Sequence, residues 1–269
     1  MSSFKPILRT EYFGKKLLHF TKLKSTNAYL LNDYEGPFQE GVTVIADHQT
    51  MGRGRLSRSW FSYPSKSLLF SILLTPNTNT SNLPQLTQVF SLAIAKTLEQ
   101  LTHLNPLIKW PNDIYINGRK ICGILSETRF EDDHIMQKID GKIIPFVVMG
   151  IGINVNEAKS DFPDELKNIA TSLAIETDKI YNRENLFANI LYESELYYNK
   201  WKNTLYHEIL EEINIRFYLA NKHVKVIISD NTVVEGKVKG LSPQGYLLIK
   251  DSSGYINEII SGDVNVISN

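Results

Sequence analysis

The sequence predicts an α+β protein: a mixed β-sheet with flanking helices over residues 1–220, followed by a small β-barrel over 221–269. Three observations lead there. Up to about residue 220, short β-branched runs alternate with two long stretches of helical period. Beyond residue 221 only β-type runs remain, broken by turn residues about every ten positions. Apolar residues make up 42 % of the 269, enough to bury one large core and a small one.

Along the chain, "KLLHF" (16–20) reads as a short strand. "STNAYLLNDY" (25–34) opens on capping-type residues and sets Ala28, Leu30 and Leu31 at helix-like spacing. "GVTVIAD" (41–47) and "SLLFSILL" (67–74) are β-type runs, the second apolar enough to be buried on both faces. Residues 82–101 form a helix with apolar positions 86, 89, 90, 93, 94, 98 and 101, and Pro84 suits its first turn. "LIKW" and "DIYING" flank Pro111, with a hairpin at Asn117-Gly118 and "KICGILSET" (120–128) as the return strand. "IPFVVMGIGINV" (144–155) is the most apolar strand, and residues 183–201 form a second long helix. "HVKVIIS", "TVVEGKVKGLS", "GYLLIKD", "YINEII" and "VNVIS" make the barrel, with turns at "DN", "SPQG", "SSG" and "SGD". A unit this small is expected to pack on the larger one.

Lys+Arg and Asp+Glu are equal at 29 each, which argues against the broad basic surface that generic nucleic-acid binding needs. The single cysteine, Cys122, excludes an internal disulfide and a multi-cysteine metal site. The six histidines show no metal-ligand spacing, so no protein-held metal is expected. No apolar run approaches the ~20 residues of a membrane span and no leader is evident before residue 20, so the expected compartment is the cytoplasm.

Against that balanced background stands "DHQTMGRGRLSRSWFS" (47–62), with Arg53, Arg55 and Arg58 in six positions between Gly52, Gly54 and Trp60. It is neither a dinucleotide fingerprint, since Ser57 stands where the third glycine belongs, nor a P-loop. Read alone it is a solvated turn. Read with its neighbours, it is a loop whose guanidinium forks match phosphate or carboxylate, expected to order when an anion arrives. In "KWPNDIYINGRKICGIL" (109–125), Asn112 and Asp113 are expected in a turn with their oxygens outward. Lys120 taken alone is an edge-strand lysine. Cys122 is expected to be small and buried. Gly150 and Gly152 interrupt an apolar strand and are expected to admit another backbone or a ligand, and Asn154 alone is a turn residue.

"KSTNAYL", the arginine loop, "KWPNDIYINGRKICGIL", "MGIGINVN" and "IATSL", in this order, closely resemble the catalytic core of biotin protein ligases, a match covering roughly residues 16 to 203. The resemblance implies a sheet-and-helix core like that of class II aminoacyl-tRNA synthetases and an SH3-like terminal barrel. It also implies ATP-dependent activation of biotin as biotinyl-AMP, with Mg²⁺, and transfer of biotin to one lysine of a biotin carboxyl carrier protein or domain. Some members carry an N-terminal DNA-binding winged helix. Reaching "STN" at residue 25 implies the short form, a ligase and not a repressor, monomeric or homodimeric.

By the same resemblance, Ser25, Thr26, Asn27 and Gln49 border biotin; Gly52, Arg53 and Arg55 close over it; and Gly123, Leu125, Gly150 and Ile153 are pocket walls. Arg53, Arg55, Arg58, Trp60, Lys109, Asn112 and Asn154 serve the nucleotide. Lys120 meets both the biotin carboxylate and the α-phosphate. Lys120, Arg55 and Asp113 are the catalytic candidates, Asp113 as the base for the acceptor amine. Met51, Leu56 and Ser57 depart from the small, basic or glycine residues common in the loop. The alternatives are a lipoate or octanoate ligase or transferase, and a non-catalytic biotin sensor.

Overall fold

The structure, a computed structural model, describes residues 4–37, 39–129, 137–139, 142–144, 146–229 and 232–267. The turn expected at "DN" (230–231), together with His134 and Pro145, lies outside the described residues. The main sheet takes seven strands: β1 (Leu17–Phe20), β2 (Thr43–Ala46), β3 (Leu68–Leu74), β4 (Leu107–Lys109), β5 (Asp113–Ile116), β6 (Arg119–Arg129) and β9 (Phe146–Ile153). Their order is β1-β2-β3-β9-β6-β5-β4. β1 and β2 run parallel and the other pairs antiparallel, so the sheet is mixed as the sequence predicts.

Strand alternation sends Phe70, Ile72 and Leu74 of β3 and Met149, Ile151 and Ile153 of β9 into one core, shared with α2 (Leu83–Thr102) and α4 (Arg183–Lys202). On α2 the expected stripe at 86, 89, 90, 93, 94 and 98 is buried, while Leu101, in the last turn, is exposed. The other sheet face buries Leu73, Phe146 and Val148 against Leu30 and Tyr34. The helix expected over 25–34 is shorter. Ser25 caps a single turn, α1 (Thr26–Ala28), which then widens into π-type winding over Tyr29–Asp33 and keeps Leu30 buried. Asn117 (φ 49°) and Gly118 (φ 77°) both take left-handed conformations, as the hairpin signal requires.

Three elements were not anticipated. They are the antiparallel strand pair β7 (Gln137–Ile139) and β8 (Lys142–Ile144), counted as one, the short α3 (Leu173–Thr177), and α5 (Tyr206–Ile215), which buries Tyr206, Ile209 and Ile213 at helical spacing. The C-terminal unit is a five-stranded antiparallel sheet of β10 (His223–Ser229), β11 (Thr232–Leu241), β12 (Leu247–Lys250), β13 (Ile256–Ile259) and β14 (Asp263–Val266). Its order is β13-β12-β11-β10-β14. It packs on the main body. Trp110 is buried in the small sheet's core and its Nε1 donates to Gly245 O at 3.1 Å, an oxygen that also accepts from Gln88 Nε2 at 2.7 Å.

Candidate active site

The site lies on the sheet face away from α2 and α4, and strand register makes its floor. Gly152 of β9 pairs with Gly123 of β6 and Leu69 of β3; Gly150 pairs with Leu125 and Ser71. Two glycines thus lie side by side on neighbouring strands with a third close by, leaving a shallow floor in an otherwise filled sheet. Side chains occupy it. A Cβ on Gly152 would stand 2.5 Å from Trp60 Cε2, one on Gly123 2.8 Å from Trp60 Cζ3, and one on Gly150 2.1 Å from Asn27 Oδ1. The glycines therefore admit the Trp60 ring and the Asn27 amide, where a backbone or a ligand had been expected. Trp60 Nε1 is buried without a hydrogen-bond partner among the described residues.

The head of α1 supplies one polar edge. Gln49 Oε1 accepts from Thr26 N at 2.7 Å and from Thr26 Oγ1 at 3.1 Å. Asn27 Nδ2 donates to Leu125 O at 3.2 Å and Glu127 Oε2 at 2.8 Å, while Ser71 Oγ lies 2.5 Å from Asn27 Oδ1 and 2.7 Å from Thr26 Oγ1.

The arginine loop folds back on itself. Trp60 N donates to Gly52 O at 2.9 Å and Gly54 N to Arg58 O at 2.7 Å. The two glycines are not equivalent: a Cβ on Gly52 would be 2.6 Å from the backbone oxygen of Trp60, whereas one on Gly54 meets nothing nearer than 3.5 Å. The left-handed positions are Leu56 (φ 53°) and Ser57 (φ 59°), so the loop turns where glycine is absent. Each arginine has a partner. Arg53 Nη2 donates to Glu127 Oε2 at 2.9 Å. Arg55 reaches Asn112 Oδ1 at 3.4 Å and Gly262 O at 3.2 Å. Arg58 pairs with both oxygens of Asp263. Burial pushes Arg55 below the ordinary arginine value, partly offset by Asp113 and Asp263. It lowers Lys109 in the same way, with the same two carboxylates opposing.

Lys120 is not an edge lysine, because it is paired on both sides, with Tyr115 of β5 on one and with the segment around Ala170 on the other. Its Nζ lies 2.6 Å from Asp113 Oδ1 and 5.6 Å from the centre of a Trp60 ring. The Asp113 contact is electrostatic rather than a directed hydrogen bond, since Oδ1 finds no donor in a suitable direction. Asp113 thus begins β5 with an oxygen turned inward, not outward from a turn as expected. Lys120 N and O bond to Ile169 O (2.8 Å) and Thr171 N (2.9 Å), which ties the segment before α3 to the site. Asn154 is buried and donates to Thr171 O at 2.9 Å, holding the same segment, so it is not an ordinary turn residue. Cys122 is fully buried on the helix side, and burial pushes its thiol well up, which removes it as a nucleophile.

These groups line a cavity of about 330 Å³, within the usual range of ~300–1,000 Å³ for small-molecule sites. Of the site residues read from the sequence, all but Gly52 and Ile153 line it. Ile153 is a correction: being odd-numbered on β9, it points with Met149 and Ile151 into the helix-side core, and Gly152 holds the position on the site face. Gly52 instead seats the loop against Trp60. Sequence reasoning missed Phe162, Leu166, Ile169 and Ala170, which cover one side, and Asp263, Val264 and Asn265 from the C-terminal sheet. It also missed Glu127 and Ser71, which hold Arg53 and Asn27. A signal existed for Ser71, a polar residue interrupting an apolar run, but not for Glu127, which lies in the polar stretch 126–129. Among the described residues no three His, Cys, Asp or Glu side chains group as a metal site, and no helix is long and apolar enough to cross a membrane.

Residues 18–154 match the model of the biotin/lipoate A/B protein ligase family, and residues 220–266 match that of the biotin protein ligase C terminal domain. The bifunctional ligase/repressor BirA of Bacillus subtilis (strain 168) is 35% identical over 96% of this chain and 76% of its own length. The biotin–[acetyl-CoA-carboxylase] ligase of Mycobacterium tuberculosis is 29% identical over 89% of this chain and 85% of its own. Among solved structures, the biotin protein ligase from Aquifex aeolicus in complex with biotin and ATP superposes with a TM-score of 0.80 at 32% identity, covering 95% of this chain and 100% of that one.

Proposed function

Because this chain belongs to the biotin/lipoate A/B protein ligase family and carries the C-terminal domain of its biotin protein ligases, we propose that the cavity described above is where it activates biotin with ATP and passes it to a protein acceptor. The protein is an ATP-dependent biotin ligase. The acceptor we assign is one lysine of a biotin carboxyl carrier protein or domain, and the compartment is the cytoplasm. Mg²⁺ enters with the nucleotide as part of the substrate.

The observation that carries this reading is the place of Lys120, beside a glycine floor and beneath a loop carrying three arginines. In the first step a biotin carboxylate oxygen attacks the α-phosphorus of ATP, and the bond to pyrophosphate breaks. Two anions approach each other, and at ~4 Å with an effective dielectric of ~20 their repulsion is about 4 kcal/mol. The ammonium of Lys120, a compact charge aimed by Asp113, sits between them and follows the charge into the transition state. Arg53 and Arg55 are placed to take phosphate oxygens, Arg53 by exchanging Glu127 for the ligand. Ser25, Thr26, Asn27 and Gln49 offer the polar edge for the biotin ring system, with Leu125 beside it and, beneath, the Trp60 ring and Asn27 amide that Gly123 and Gly150 make room for. Trp60 forms the wall towards the nucleotide side, where Lys109, Asn112 and Asn154 stand, and its buried Nε1 donates to a ligand oxygen.

In the second step the acceptor amine attacks the acyl carbon, the bond to AMP breaks, and the amine loses a proton. Only roughly one lysine in 10³ is neutral at pH 7, so a nearby base speeds this step. Asp113 is placed for it, since its partner Lys120 is drawn to the AMP phosphate once the adenylate has formed. The closed loop keeps water from the adenylate meanwhile.

The test is to incubate the protein with ATP, Mg²⁺ and labelled biotin, with and without a carrier domain, and follow both by mass. The expected result is pyrophosphate release with biotin and one biotinyl addition on the carrier. Addition of lipoyl or octanoyl groups in preference to biotin, or no addition at all, refutes the reading.

A further inference from the structure

The C-terminal sheet sends one acid into the site. Asp263, the first residue of β14, meets Arg58 with a two-pronged geometry: Nη1 donates to Oδ1 at 3.0 Å and Nη2 to Oδ2 at 2.5 Å. The carbonyl one residue earlier, Gly262 O, accepts from Arg55 Nη2 at 3.2 Å. Among the described residues, the arginine loop's tip over 54–58 is tied to the rest of the molecule by these bonds and by Arg55 to Asn112. Burial works against the charge on Asp263, but the hydrogen bond from Arg58 and the charges of Arg58, Lys109 and Arg55 hold its carboxyl below the usual carboxylate value. It is therefore ionised at neutral pH. The tip it restrains has its bends at Leu56 and Ser57, in conformations that non-glycine residues resist, and it holds two like charges, Arg55 and Arg58, with Arg53 next to it. Without an outside anchor, such a tip has every reason to open.

We propose that Asp263 is a positioning residue for the nucleotide half of the site: by clamping Arg58 it holds the loop over Lys120 and Trp60, and Arg58 is the loop's anchor rather than a phosphate ligand. The proposal rests on the ATP-dependent reading above and divides the arginines within it. Arg53 bonds only the single oxygen Oε2 of Glu127, and Arg55 makes single contacts to Asn112 Oδ1 and Gly262 O, so both can turn donors to the polyphosphate, while both prongs of Arg58 are spent on Asp263. The C-terminal sheet thereby becomes part of the adenylate-forming site, although the main body carries Lys120 and Asp113.

Two readouts on the full chain test it. The first is the rate of tryptic cleavage after Arg55 in the ligand-free protein. The second is pyrophosphate release against ATP concentration at saturating biotin. Asp263→Asn keeps the side chain's size and removes its charge. Because the pair is partly exposed, a shift of about two- to fivefold is expected in both the cleavage rate and KM for ATP, with a smaller change in kcat. The exchanged pair, Arg58→Asp with Asp263→Arg, should bring both back towards the wild-type values. Unchanged cleavage and KM in Asp263→Asn overturn the clamp. A defect in Asp263→Asn that the exchanged pair fails to relieve overturns the anchor role and gives Arg58 to the phosphates. Wild-type protein that releases no pyrophosphate would overturn the ATP-dependent reading instead, and the cleavage rates would still judge the clamp.

Discussion

Gly150→Ala puts the glycine floor to the test, because the cost can be worked from distances. The new Cβ would lie 2.1 Å from Asn27 Oδ1, 2.7 Å from its Cγ and 2.8 Å from its Nδ2, where ordinary contact begins at 3.4 Å. The amide must withdraw by more than an ångström, yet it is held by Ser71, Leu125 O and Glu127. Overpacking of this kind costs about 1–3 kcal/mol, and each buried hydrogen bond lost adds ~1 kcal/mol. A destabilisation of about 2–5 kcal/mol follows, read as a shift in the urea midpoint followed by tryptophan fluorescence. The same movement displaces a biotin-facing group. Wild-type protein at a hundredfold excess of biotin over Kd gains about 2.7 kcal/mol, and the variant should lose most of that gain. Gly54→Ala is the control. Its Cβ meets nothing nearer than 3.5 Å, so stability should stay within about 0.5 kcal/mol. A Gly150→Ala protein as stable as the wild type, with its biotin-induced shift intact, would refute the account of the floor.

Three further outcomes are expected. Lys120→Arg keeps the charge but replaces a compact ammonium by a planar fork, and should slow pyrophosphate release by about 10²-fold or more; a wild-type rate would remove Lys120 from the reaction. Asp113→Asn separates two roles: slower adenylate formation marks the carboxylate as the holder of Lys120, slower transfer from preformed biotinyl-AMP marks it as the base, and normal rates in both steps would exclude both. Glu157 is buried, with one oxygen hydrogen-bonded by Ser67 and the other unpartnered among the described residues, and burial raises its pKa despite those bonds. Its folded value lies above its unfolded value, so the stability it contributes is complete at acid pH and lost as pH rises through the folded value. Glu157→Gln removes that loss, so its gain in Tm over wild type should be larger at neutral pH than over the acid range below the ordinary glutamate value. A gain that stays flat or shrinks from acid to neutral pH contradicts the assignment.

Most elements were legible because their signals are local. The stripe on α2, the Asn117-Gly118 hairpin and the apolar runs of β3 and β9 follow from period and turn chemistry within a few residues. α5 was legible too, since Tyr206, Ile209 and Ile213 keep helical spacing, but it was not read. Ile153 was misplaced although period-two alternation from Gly150 already assigns it to the other face. The widening of α1 into π-type winding was not legible, as it depends on how Leu30 fits among Val44, Leu73 and Val148.

By itself, then, the sequence determined which segments are strands and helices, and that a cluster of cations and a lysine stand beside them, since propensity, period and charge are properties of neighbouring residues. Only the tertiary structure decided what those groups meet. Strand register set Gly152 against Gly123 and let Trp60 cover both. The pairing of β5 with β6 turned Asp113 from a turn residue into the partner of Lys120. The docking of the small sheet brought Asp263 to Arg58 from 205 positions away. Those contacts arise when surfaces far apart in the chain pack together, and no local pattern encodes which surface will find which.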